Sequence, residues 1–181
     1  MSKSMVEKMK EMGVIDSRDD AIYEYGLEIL KLKFIAACIA GIIAIFLDTE
    51  VFLIYMLVIL IPIRRYAGGV HARSKYLCMG ITELLLLGAE LVYKFIEINF
   101  GVMIACMVLG IVMVIIKSPS NSPNHPLTCE QIRKYRRISI GLCIISVIVF
   151  TVVYINNYII GQYAISLAYL IEFILLFVDL K

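Results

Sequence analysis

Charge is scarce in this chain. Lys, Arg, Asp and Glu supply only 18% of the 181 residues, while 61% are hydrophobic, which leaves too little polar surface to clothe a soluble domain. A cysteine framework is missing as well. The five cysteines, at 38, 78, 106, 129 and 143, form no CxxC pair, so a disulfide scaffold is excluded. Reduced thiols within the bilayer or on the cytoplasmic side are expected instead. The first thirty residues lack an apolar core followed by small residues, and they do not read as a cleavable signal peptide. Internal repeats and low-complexity tracts are also lacking, and residues 1–181 read as a single unit. Proline is rare, and three of the four lie in the one stretch 117–137.

What the chain has in quantity is long apolar blocks, the pattern expected when lipid is the solvent. They predict an all-α integral membrane protein with about six transmembrane helices, near 30–47, 51–63, 79–96, 100–116, 138–155 and 158–178. The first two apolar runs, 34–47 and 51–63, are shorter than the ~20 residues of a straight crossing. The first is therefore expected to extend back through Leu27, with Lys31 and Lys33 snorkelling. The second is expected either to tilt or to hand over to a re-entrant stretch. Glu83 and Glu90, seven apart on one face of the third segment, are expected to avoid lipid.

The distribution of charge says more than the net value of +2. Sixteen of the 17 Lys and Arg residues fall in the N-terminal region, in 64–78, in 117–137 and at the C-terminus, and only Lys94 falls in the alternate loops. The positive-inside rule then puts both termini and both basic loops in the cytoplasm. Residues 1–26 read as an N-terminal cytoplasmic region, in which Met5, Met9 and Met12 mark one face of an amphipathic helix at the membrane surface. A frayed charged terminus is the plainer alternative. The 117–137 loop is expected to be irregular until Thr128, a suitable N-cap for a helix starting near Cys129.

The most reactive side chains are concentrated in RRYAGGVHARSKYLC, residues 64–78. Arg64, Arg65, Arg73 and Lys75 precede Cys78, and nearby cations favour the nucleophilic thiolate. His71 lies seven residues upstream of Cys78, a separation of ~10.5 Å along a continuous helix. A base and a nucleophile must come close to hydrogen-bond distance, so a working pair requires the backbone to leave the helix between them. Gly68 and Gly69 permit such a turn, and their amides are available to an oxyanion. The segment also reads as a plain solvated basic loop. Cys38, Cys106 and Cys143 read as small buried hydrophobes in apolar helices, whereas Cys129 lies in the second basic loop. His71, Cys78, His125 and Cys129 match a zinc donor set in residue type, although neither pair has a common zinc-finger spacing.

The same fifteen residues resemble the signature of the accessory gene regulator B (AgrB) family of membrane cysteine endopeptidases, through Arg64, Gly68, Gly69, His71 and Cys78 in matching order and spacing. The resemblance implies that His71 and Cys78 are catalytic, and that the substrate is a small AgrD-like precursor peptide with an acidic C-terminal tail. Tail removal through an acyl-enzyme thioester, followed by closure of a thiolactone or lactone, would mature a quorum-sensing signal. Arg64, Arg65, Gly68 and Gly69 become substrate-binding candidates, and the cluster from Arg133 to Arg137 could also attract an acidic tail. The plainer reading of both clusters is that they set topology and touch anionic lipid. Glu83 or Glu90 could orient His71 or simply pair within the bundle, and the third catalytic member stays open. No cofactor, metal or nucleic-acid partner is expected. Membrane lipid and a second copy of the chain, as a homodimer, are. The alternative class is a non-proteolytic small membrane transporter or peptide exporter, in which Cys78 would be dispensable.

Overall fold

The computed structural model describes residues 20–68, 75–120 and 127–178. Each apolar block lies within one helix: α1 (Asp20–Leu47), α2 (Glu50–Ala67), α3 (Lys75–Phe95), α4 (Phe100–Lys117), α5 (Cys129–Ile155) and α6 (Ile159–Val178). The described residues contain no strand. As the short first run requires, α1 starts well before it, with Lys31 and Lys33 both exposed. The 13-residue second run becomes an 18-residue helix because Glu50 extends one end and residues 64–67 the other. At 1.5 Å per residue α2 is about 27 Å long, close to the thickness of a hydrocarbon core. The amphipathic stretch 2–12 lies outside the described residues.

The chain reverses direction from each helix to the next, which brings the ends of α2 and α4 and the start of α5 to one end of the bundle. At the far end, Asp48 and Asn157 take positive φ of 53°, a conformation that Asp and Asn tolerate better than most residues. The three far-end connections are tied to one another. Lys94 at the end of α3 pairs with Asp48 at 3.2 Å. The Tyr163 hydroxyl accepts from the Ile98 amide at 2.6 Å and donates to the Ile96 carbonyl at 3.3 Å, fixing the α3–α4 connection on α6. Asn99 caps α4 by accepting from the Val102 amide at 2.9 Å, which sets the start of that helix.

The axis of the bundle is α6. About 72% of its apolar stretch is buried, against 17–22% for α1, α4 and α5. These four helices are long and apolar enough to cross a bilayer, and α2 and α3 pack among them. Small residues let the neighbours approach α6. At Gly110 of α4, a methyl group would collide with the Tyr169 backbone, so the α4–α6 contact depends on the missing side chain. Ala36, Ala40 and Ala44 line the buried face of α1 at intervals of four. Outward from these contacts, Phe34, Ile42, Phe46, Ile61, Ile148 and many similar side chains are exposed. In water such a surface would aggregate, and it suits a membrane instead. The chain is an all-α integral membrane protein.

Apolar sequence does not separate inside from outside in such a fold. Of the three cysteines expected to be small buried hydrophobes, Cys143 is buried, Cys106 half-buried and Cys38 exposed. The reason is that lipid accepts an apolar thiol as readily as the core does. Glu90 is 1% exposed, as expected of an acid that avoids lipid, whereas Glu83 is only half-buried.

Candidate active site

The motif 64–78 begins on the last turn of α2 and ends on the first turn of α3. The two arginines diverge. Arg64 is half-buried with its Nη1 inside the bundle, while Arg65 is exposed, its guanidinium 5.9 Å from the centre of the Tyr66 ring. The helix then stops at Gly68, whose φ of 88° and ψ of −152° suit glycine almost alone. A Cβ there would also lie 2.8 Å from the Cβ of Ser120. Gly68 is thus required twice, for its backbone angles and for close approach to the second basic loop.

That approach joins two segments separated by about fifty residues. The Ser120 amide donates to the Ala67 carbonyl at 2.9 Å. Tyr66 meets Tyr135 of α5 edge to face, with centroids 5.7 Å apart. Ser118 donates to Ser139 at 2.9 Å, and Ser139 in turn to the Tyr135 carbonyl at 2.9 Å. Beside this junction α5 starts with a complete capping box. Thr128 accepts from the Gln131 amide, and Gln131 accepts from the Thr128 amide at 2.9 Å. Its first turns present Glu130, Arg133, Lys134 and Arg137 around an open depression. The N-cap expected at Thr128 is therefore present, with Cys129 exposed just after it.

Gly69 and His71 lie outside the described residues, as does His125. The backbone of Cys78 is in the first turn of α3, but its side chain is likewise outside them. The segment 66–78 is not one continuous helix, since α2 ends at Ala67 and α3 begins at Lys75. The spacing of His71 from Cys78 lies outside the described residues. Glu90 is 12 residues beyond Cys78 on α3, about 18 Å along the axis, too far to orient a histidine that serves Cys78.

One acid was overlooked in reading the sequence. Glu172 is the single charged residue of the last apolar segment, and an isolated ionisable group in such a setting is itself a signal. It is 0% exposed, neither carboxylate oxygen has a hydrogen-bond partner among the described residues, and burial acts on it more strongly than the charge of Arg64. Near it on α5 and α6 lie Cys143 and Tyr169, with Ser146 beside Tyr169. The Tyr169 hydroxyl is beside Cys143 and Ser146 without a well-aligned hydrogen bond to either.

The family model for Accessory gene regulator B matches residues 2–176. Among curated proteins, the chain is 23% identical over 124 residues to Accessory gene regulator protein B of Staphylococcus haemolyticus (strain JCSC1435), a match covering 68% of this chain and 66% of the relative. It is 23% identical over 129 residues to the protein of that name from Staphylococcus aureus (strain bovine RF122 / ET3-1), covering 71% and 69%. The figures for Staphylococcus aureus (strain JH9) are 24%, 71% and 69%. The chain thus spans about two thirds of the length of these relatives. No solved structure matches it. With a match along nearly its whole length, on a helical membrane scaffold, the chain belongs to the accessory gene regulator B family of quorum-sensing membrane proteins.

Proposed function

We propose that this chain is a membrane cysteine endopeptidase that removes the acidic tail from an AgrD-like precursor and closes the remaining peptide into a ring. The observation that carries the reading is the end of α2 at Gly68, ahead of the helix that carries Cys78. The cations of the motif, Arg64, Arg65, Arg73 and Lys75, favour a thiolate at Cys78. His71, three residues past the Gly68 break, is the proposed base.

In the proposed reaction His71 takes the proton from Cys78, and the thiolate attacks the carbonyl at the cleavage site. The C–N bond breaks, the tail leaves with the proton returned by His71, and the upstream peptide remains as a thioester on Cys78. A cysteine or serine of the precursor then attacks that thioester, releasing the Cys78 thiol and closing a thiolactone or lactone. Thioester exchange is nearly energy-neutral, so no nucleotide is required for a thiolactone. Exclusion of water protects the acyl-enzyme from hydrolysis. Joining of the two basic stretches through Ser120 and Tyr135 supports tail capture at this end of the bundle, with Arg64 and Arg65 as contacts and the cluster on α5 as a secondary attraction. The basic end is assigned to the cytoplasm by its Lys and Arg excess, and the assembly to a homodimer, which mass measurement in mild detergent checks.

Cleavage by purified variants tests the reading. Cys78→Ala should abolish it, and Cys78→Ser should be almost as damaging, because a hydroxyl is far harder to ionise. His71→Ala should lower turnover by about 10²–10⁴-fold and raise the pH needed to alkylate Cys78. Cys129→Ala should leave cleavage nearly intact. A transporter, by contrast, would keep its function in Cys78→Ala.

A further inference from the structure

Glu172 has no part in the chemistry just described, yet it is a fully buried carboxylate in the central helix of a membrane protein. Such a group is costly to retain without a counter-charge. Its depth identifies the counter-charge. Arg64 lies 14 residues from the far-end start of α2 at Glu50, and Glu172 lies 13 residues from the far-end start of α6 at Ile159. At 1.5 Å per residue both sit about 20 Å from the far end, on two helices packed against each other. The Nη1 of Arg64 is buried, and its charge acts on the carboxylate. Arg65, one residue on, points out. The two groups are not hydrogen-bonded, since neither oxygen of Glu172 has a hydrogen-bond partner among the described residues.

We infer that Glu172 is a positioning residue, a buried anion on α6 that holds the Arg64 guanidinium inside the basic end of the bundle, where it meets a carboxylate of the substrate's acidic tail. The inference rests on the proposed role of Arg64 in tail recognition and adds the element that aims it. A guanidinium offers five N–H groups on a rigid fork, enough to face Glu172 with one edge and an incoming carboxylate with another. Without the carboxylate, the Arg64 guanidinium loses a buried counter-charge, and its share of tail binding falls.

The test has two arms on the full chain in lipid nanodiscs. In the first, phenylglyoxal modification of Arg64 is followed by peptide mass spectrometry, with exposed Arg65 as the internal reference. Glu172→Gln should speed modification of Arg64 relative to Arg65 by about fivefold or more, as loss of a buried partner charge implies. Glu172→Asp, which keeps the charge, should stay near the original rate. An unchanged ratio in Glu172→Gln overturns the pairing. In the second arm, a synthetic AgrD-like peptide with an acidic tail is compared with the same peptide carrying tail amides. Glu172→Gln should raise KM for the acidic peptide about tenfold with kcat within about twofold, and it should add nothing further in an Arg64→Lys background. An equal loss with both peptides, or an undiminished loss in the Arg64→Lys background, would mean that Glu172 acts on the fold at large and would overturn the positioning role. Failure of the unmodified protein to cleave either peptide would strike the proposed activity instead, and the modification ratio would still decide the pairing.

Discussion

At the scale of single residues, the motif divides into groups that shape the backbone and groups that carry charge or chemistry. Gly68 belongs to the first kind, with its φ of 88° and its contact to Ser120. Gly68→Ala should therefore destabilise the protein by about 1–3 kcal/mol through backbone strain alone, with a further cost from the overlap. Thermal unfolding in detergent measures this, and Ser120→Gly should recover only the overlap. An unaltered transition would contradict the assigned geometry. The sequence showed that Gly68 and Gly69 permit a turn, whereas the bend expected between His71 and Cys78 falls mostly outside the described residues. The contact of Gly68 with Ser120 was not legible, since nothing local announces a partner about fifty residues away. Glu172 was legible: the single acid of a 20-residue, mostly apolar helix is visible without a structure.

At the scale of helices, hydrophobic runs located all six elements, but their ends followed other rules. Helix α2 takes in Glu50 and the residues 64–67, so it is longer than its 13-residue apolar run, because a helix continues into water wherever hydrogen bonding allows. Helix α5 begins where its cap says it should. Thr128→Ala removes the acceptor for the Gln131 amide and should cost about 1 kcal/mol. Hydrogen exchange should quicken in the first turn of α5, which carries Cys129 and leads into the basic cluster, while Thr128→Ser should restore protection. Unchanged exchange there would contradict the capping box. Which face of each helix is buried was much less legible. In a soluble protein an apolar stripe marks the core, but here lipid-facing Ile148 and buried Phe150 are equally apolar. Only small residues such as Gly110, and polar ones such as Glu90, gave the interior away.

For the whole molecule, α6 is the axis on which α4 and α2 pack most extensively, and the basic segments converge at one end. The proposed orientation sets that end in the cytoplasm, on the ground that sixteen of 17 Lys and Arg lie there or in the flanking regions. Single cysteines introduced at Ser120 and Asn156, in a background without the native exposed thiols, should react with impermeant reagent from opposite sides. Ser120 labelled from outside intact cells would invert the topology and remove the precursor's access to the proposed site. The central claim is that Cys78 carries the peptide during its maturation. Mass spectrometry of the intact protein after mixing with a precursor whose own cysteine is replaced by alanine tests it most directly, because ring closure is then blocked. The predicted result is a mass increase equal to the precursor without its tail, mapped to Cys78 and absent in Cys78→Ala. An adduct on Cys129, or normal tail removal by Cys78→Ala, would contradict it.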